Sequence, residues 1–262
     1  MSGSIDKIRA AVVQMDTQLG RIENNVTMTL EILKGLNCDL AVLPEMWTCG
    51  FDNNNLVKHA AQTPEILDLL SGFCKDNKMV IAGTMPELFQ NAIFNTMYVV
   101  ESDGKIVGNY RKIHLFRPTD EHLFYTPGDA VGICNTSLGP VGMMICYDIR
   151  FPELCRKLAL SGAFYVLVSA QWPLSRINHW KVLTEARAIE NHLFLICANR
   201  CGRDPDLLYG GNSRIVSPSG ELLLHTDESG PSCLKAVIRS KEIEESRRRF
   251  STLTERRAEL YD

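Results

Sequence analysis

The 262-residue chain carries 28 Lys and Arg against 31 Asp and Glu, a formal net charge of −3, with 45% hydrophobic residues. That balance gives no global electrostatic case for nucleic acid or an anionic membrane surface, and the length allows a deep core in one or two domains. No apolar run approaches the ~18 residues of a membrane span, and residues 1–9 lack the apolar stretch of a signal peptide.

Nine cysteines, an odd number without CxxC pairs, point to free thiols in a reducing compartment, the cytoplasm. Cys38, Cys134 and Cys197 lie in apolar runs and are expected to be buried.

Along the chain, β and α periods alternate. Ile8 to Gln14 reads as a strand, and Arg21 to Leu36 as a helix with Ile22, Val26, Leu30 and Leu33 at helical spacing. Leu40 to Leu43 is a short, wholly apolar strand. A helix is predicted to open at Thr63-Pro64, Thr as cap and Pro at the first helical position, and to run to Lys75. Strands follow at Met79–Gly83, Phe94–Val100 and Lys105–Arg111, the last two joined by the turn Ser102-Asp103-Gly104.

After a loop over 113–130 come strands at Val131–Cys134 and Val141–Cys146, then a helix from Pro152 to Gly162 and the strand Tyr165–Ser169. A helix over 177–190 precedes the strand Leu193–Ala198. Ser213–Val216 and Glu221–His225 flank the turn Ser217-Pro218-Ser219-Gly220, and Leu234–Ile238 is the last strand. The tail, about 241–262, is charged and reads as unable to bury itself.

The order is two rounds of β-α-β, each with hairpins. With no linker or composition break, it reads as a single domain over 1–262. Short, wholly apolar strands imply sheets covered on both faces. Two packed sheets with outer helices satisfy this, and so does a doubly wound three-layer sheet. No glycine-rich phosphate loop supports a nucleotide cofactor, and no histidine spacing supports a catalytic metal, so no cofactor is expected.

Three strand ends carry reactive side chains. Glu45 directly follows an apolar strand, where burial would tune it as a general base. Lys112, in Tyr110-Arg111-Lys112-Ile113-His114-Leu115-Phe116, is placed to stabilise an oxyanion and a thiolate. Cys146 ends another strand, its thiol facing the crevice where α/β proteins place ligands, with the Tyr147 backbone N–H as an oxyanion donor. Taken singly, each has a plainer reading: a surface glutamate, a solvated lysine, a core cysteine like Cys197. His114 and His122 leave a Cys–His pair conceivable.

Taken together, Leu43-Pro44-Glu45, Arg111-Lys112-Ile113-His114-Leu115 and Cys146-Tyr147-Asp148-Ile149-Arg150-Phe151-Pro152-Glu153 resemble the nitrilase (carbon–nitrogen hydrolase) superfamily. The resemblance continues through His179-Trp180, residues 186–191, Gly211-Asn212-Ser213-Arg214 and Ser217 to Gly220, covering nearly the whole chain. It implies a four-layer αββα sandwich, with Cys146 as nucleophile, Glu45 as general base and Lys112 as stabiliser of the tetrahedral intermediate. It also gives Glu121 a supporting role in orienting Lys112 or the substrate amide, and implies a homodimer.

A small acid substrate needs an anion site, for which Arg176 and Arg150 are candidates. Arg150 has the alternative of an ion pair with Glu153 or Asp148. Trp47, Phe116, Phe124 and Trp172 are expected to form a compact apolar pocket around the substrate chain, or in part simply to fill core. Trp172-Pro173, Arg176, His179-Trp180 and Asn199-Arg200 are similar to the bacterial ω-amidase branch, which implies terminal amides of 2-oxoglutaramate or 2-oxosuccinamate type. An N-carbamoyl amino acid hydrolase is the alternative, and a non-catalytic binding protein on the same fold stays open. The expected partners are a small amide and a second copy of the chain, with no nucleic acid and no membrane.

Overall fold

In the first strand, β1 (Lys7–Gln14), Ile8, Ala10 and Val12 are buried in one apolar cluster while Ala11 and Val13 are buried in another. Successive strand residues point to opposite faces, so this strand has apolar material on both sides. That rules the architecture. The computed structural model describes residues 7–205, 207–227, 230–250 and 252–260.

From β1 the chain passes through α1 (Ile22–Lys34), β2 (Leu40–Val42) and α2 (Leu56–Asn77) to β3 (Val80–Phe89), with β1, β2 and β3 in parallel register. The antiparallel β4 (Ala92–Val100) and β5 (Ile106–Arg111) extend the sheet. A one-turn helix, α3 (Glu121–Phe124), leads into the second half. There β6 (Gly132–Thr136) pairs antiparallel with β7 (Gly139–Ile145), and α4 (Pro152–Leu160), β8 (Tyr165–Ala170), α5 (Ile177–Asn191) and β9 (Phe194–Asn199) repeat the parallel β-α-β pattern.

The two-residue strands β10 (Arg203–Asp204) and β11 (Leu207–Leu208) make a small separate ribbon. Strands β12 (Arg214–Val216) and β13 (Leu222–His225) finish the second sheet. The last strand, β14 (Ser232–Arg239), returns to pair antiparallel with β1, and α6 (Lys241–Arg249) follows. The sheet orders are β14-β1-β2-β3-β4-β5 and β13-β12-β9-β8-β7-β6.

Helices α1 and α2 lie outside the first sheet, burying Ile22, Val26, Leu33, Ile66 and Leu70 with Ala11 and Val13. Helices α4 and α5 cover the second through Leu154, Leu158, Trp180 and Ala188. Between the sheets, Val12, Val42 and Val80 share one core with Met143, Leu167 and Ile196. This is the αββα sandwich in a single domain. At Gly108 and Gly132 the sheets approach so closely that a Cβ would lie 2.5 Å from Cys134 Sγ and from Tyr110 Cβ respectively.

Several boundaries differ from the sequence expectation. Helix α2 begins at Leu56, not Thr63, because buried Leu56, His59 and Ala60 supply a packed face ahead of Pro64. Pro64 is therefore internal, and the Thr63 hydroxyl donates to the Pro86 carbonyl at 2.6 Å instead of capping a helix. Strand β3 runs on to Phe89 because it pairs with β4 across the Gln90-Asn91 turn, both residues having positive φ. The charged tail is not wholly solvated. Within α6, Ile243 is fully buried, and Arg247 donates to the carbonyls of His192 and Ala163. Residues 251, 261 and 262 of that tail lie outside the described residues.

All nine cysteines are free; Cys38 and Cys197 are buried, whereas Cys134 is only half-buried, on a strand at the sheet edge. Among the described residues no helix is long and apolar enough to cross a membrane.

Candidate active site

The reactive side chains sit where strands end. Glu45 lies just past β2, Lys112 just past β5, Cys146 just past β7 and Gln171 just past β8. The carboxyl ends of parallel strands are where α/β sheets leave room for ligands. Here two sheets contribute, and they are stitched at this end. Ser169 Oγ donates to Leu43 O at 2.7 Å, and Glu45 N to Ala170 O at 3.4 Å.

Cys146 takes a left-handed conformation, φ 46°, uncommon for a residue with a Cβ. It turns the chain sharply from β7 into the short 3₁₀ helix Cys146–Arg150. Buried Asp148 holds that turn from within. Its carboxylate accepts hydrogen bonds from Ile145 N at 2.9 Å, Tyr110 OH at 2.8 Å and His114 N at 3.1 Å, and is 2.8 Å from His114 Nδ1. Met46, next to Glu45, is also at φ 46°, and its N–H donates to Thr84 Oγ1 at 2.6 Å.

Glu45, fully buried, accepts from Lys112 Nζ at 2.9 Å and Asn95 Nδ2 at 2.8 Å on one oxygen, and from Gln171 N at 3.0 Å on the other. Lys112 is buried as well, and its ammonium lies 2.8 Å from each oxygen of Glu121. Glu121 is fixed in turn by the Phe116 N–H at 2.6 Å. Buried charges are tolerated when paired and hydrogen-bonded, and this cluster meets that condition.

Burial pushes Glu45 above the ordinary carboxylate value, helped by the charge of Glu121 and opposed by Lys112. Burial would pull Lys112 down, but Glu121 and Glu45 outweigh it and hold the ammonium above its usual value. Burial and the negative charge of Glu45 push the Cys146 thiol well up, against the pull of Lys112. Glu45 and Cys146 therefore both hold a proton more tightly than the free groups do.

These groups open into a pocket of about 150 Å³, comparable to a cavity that admits benzene. Its floor is Glu45, Lys112, Glu121 and Cys146, and its walls include Tyr147, Phe116, Trp172 and Tyr209. Arg150 and Arg176 also line it. Arg150 packs its guanidinium 4.7 Å from the centre of the Trp172 ring and lies 3.2 Å from His179 Nδ1; Arg176 lies 5.2 Å from the centre of the Phe116 ring. Among the described residues neither arginine has a carboxylate partner.

The family sequence profile described as carbon–nitrogen hydrolase matches residues 9–248. The chain belongs to the carbon–nitrogen hydrolase family. This carbon–nitrogen hydrolase is 35% identical over 254 residues to a 2-oxoglutaramate amidase of Bacillus subtilis, covering 95% of this chain and 97% of that protein. It is 34% identical over 214 residues to an omega-amidase of Escherichia coli, covering 81% and 82%. A carbon–nitrogen hydrolase from Helicobacter pylori G27 superposes with a TM-score of 0.91 at 27% identity, covering 98% and 97%.

Of the residues singled out from the sequence of this carbon–nitrogen hydrolase, Glu45, Lys112, Cys146 and Glu121 meet in one cluster, and Tyr147, Arg150, Trp172, Arg176 and Phe116 line the same pocket. The expected aromatic cluster is half right. Trp47 is fully buried in the core under α1 and α2, and Phe124 is 40% exposed; neither lines the pocket. Arg150 makes no ion pair with Asp148, whose oxygens are taken by the turn, nor with Glu153. His114 is likewise committed to Asp148, and His122 faces a separate cleft, so neither pairs with Cys146. Asn95 and Gln171 were not singled out. Asn95 is an amide inside the apolar run Phe94–Val100, and Gln171 is a polar residue ending an apolar strand, the same signal that marks Glu45.

Proposed function

We propose that this chain hydrolyses the terminal amide of a short carboxylate substrate of 2-oxoglutaramate or 2-oxosuccinamate type, releasing ammonia through a thioester on Cys146. One observation carries the substrate class. Two arginines that have no carboxylate partner among the described residues share a small pocket with the Glu45, Lys112 and Cys146 cluster. Arginine binds a carboxylate through two parallel hydrogen bonds, so an amide whose far end is anionic completes the pocket. The names of the Bacillus subtilis and Escherichia coli relatives support the same class.

In this reading Glu45 accepts the thiol proton as Sγ attacks the amide carbon. The Lys112 ammonium and the Tyr147 backbone N–H stabilise the oxyanion, and Glu121 holds Lys112 in place. The tetrahedral adduct collapses, the C–N bond breaks, and Glu45 gives its proton to the leaving nitrogen, which departs as ammonia. Glu45 then takes a proton from water, whose oxygen attacks the thioester. The C–S bond breaks and the thiol recovers its proton from Glu45. Two covalent steps replace one difficult one.

The test is an ammonia-release panel of 2-oxoglutaramate, 2-oxosuccinamate, N-carbamoyl amino acids, glutamine and simple nitriles. The 2-oxo monoamides should be turned over with the highest kcat/KM, and Cys146→Ala should abolish turnover while leaving the circular dichroism spectrum unchanged. Preference for N-carbamoyl amino acids would move the assignment to that hydrolase class, and activity in Cys146→Ala would overturn the nucleophile.

We further infer a homodimer, supported by apolar side chains left exposed on α4 and α5, Leu160, Val182 and Ile189. Nine free thiols support a reducing compartment, the cytoplasm.

A further inference from the structure

We propose that Arg200 is a positioning residue for Glu45, acting through Gln171, and that it ties the orientation of Glu45 to the β10–β11 ribbon bordering the pocket. The inference rests on the reading of Glu45 as general base.

Arg200, just past β9, is completely buried. Asp204 neutralises it through both terminal nitrogens, at 2.8 and 2.6 Å, and Thr17 O accepts a further bond at 2.6 Å. One donor is spent elsewhere. Arg200 Nη1 donates to Gln171 Oε1 at 3.0 Å. A guanidinium cannot accept a hydrogen bond, so this contact decides which end of the Gln171 amide faces Arg200. The NH₂ end is left toward Glu45, where Nε2 donates to the backbone carbonyl at 2.8 Å. The backbone N–H of the same glutamine donates to Glu45 Oε2 at 3.0 Å. Gln171 thus grips Glu45 at its main chain and its carboxylate, and Arg200 sets the grip.

The other end of the chain of contacts reaches the pocket wall. Tyr209, a pocket residue, donates its hydroxyl to Asp204 Oδ2 at 2.8 Å, and its ring centre lies 4.2 Å from the Arg200 guanidinium carbon. The path runs Tyr209, Asp204, Arg200, Gln171, Glu45. The ionisable groups around it are Lys112, Glu121 and Cys146 facing Glu45, and Asp204 with Asp16, the latter 3.8 Å away, facing Arg200.

The test compares pH profiles of kcat and KM for ammonia release in wild type, Arg200→Lys, Gln171→Met and the double variant. Lysine cannot serve Asp204 and Gln171 in the same fork geometry. Each single variant should lower kcat about 10- to 100-fold with KM held within about threefold. Each should also move the acid limb of the profile to higher pH, because the Gln171 backbone N–H that donates to the Glu45 carboxylate is no longer held in place by the side chain. The double variant should be no slower than the worse single one, since both act along one path.

A rise in KM with kcat and the acid limb unchanged would overturn the proposal, and so would additive losses in the double variant. Gln171→Met leaves the Arg200–Asp204 pair intact and carries the test if Arg200→Lys does not fold. Glu45→Gln separates the two readings. Full turnover in Glu45→Gln sinks the general-base reading itself, whereas an inactive Glu45→Gln beside unaffected Gln171→Met and Arg200→Lys sinks only the positioning role.

Discussion

Glu45 and Cys146 face each other in a buried site, and both are pushed upward, so the thiol is protonated and the carboxylate must be free to take its proton. When pH falls through the raised value of Glu45, the carboxylate protonates and the attack loses its base. The acid limb of kcat/KM should therefore lie above the ordinary carboxylate value of about 4.3. A limb at or below that value, measured with a neutral amide to keep substrate ionisation out of the profile, would contradict the assignment. Lys112 is held above its usual value and keeps its charge throughout. At the pocket mouth, Arg176→Ala should raise KM about tenfold for anionic amides and leave neutral ones nearly unchanged. Equal effects on both would remove Arg176 from the substrate contact. Glu45, Lys112 and Cys146 each had a plainer reading when taken singly, and became legible only as a set of strand-end residues whose three segments together resemble one family. Trp47 misled because an aromatic near a reactive residue in sequence can point to the opposite face, and here it fills the layer under α1 and α2.

At the scale of elements, the turn at Cys146 is held by the buried carboxylate of one of its own residues, Asp148. Asp148 accepts from Ile145 N, Tyr110 OH and His114 N, and so joins β7, β5 and the loop after β5. Asp148→Ala would strand these donors in the interior and should cost about 3–5 kcal/mol, read as a lower urea midpoint, with kcat falling as Cys146 loses its left-handed turn. A loss under about 1 kcal/mol would show that water replaces the carboxylate. The alternation of strand and helix was readable from apolar spacing, but the start of α2 was not. Thr63-Pro64 has the composition of a helix start, and only the burial of Leu56, His59 and Ala60 carries the helix ahead of it. The extent of β3 was hidden for a similar reason, since its outer residues are held by pairing with β4 rather than by burial.

For the whole molecule, apolar strands pointed to covered sheets but could not distinguish one doubly wound sheet from two stacked ones. Pairing partners decide that, and the return of β14 to β1 carries no local signature. The inferred homodimer should appear in light scattering at about twice the 29.4 kDa chain mass. A single-chain mass at micromolar concentration would remove it. The stacking has a further consequence. Glu45, Asn95 and Lys112 follow or lie in strands of one sheet, while Cys146 and Gln171 follow strands of the other. Neither layer owns the chemistry, which exists only along their seam. A chain with both sheets formed but not yet docked would have nearly its full strand content and no competent base beside its thiol. Activity is then a gauge of how the layers meet, lost before secondary structure on denaturation and regained after it on refolding.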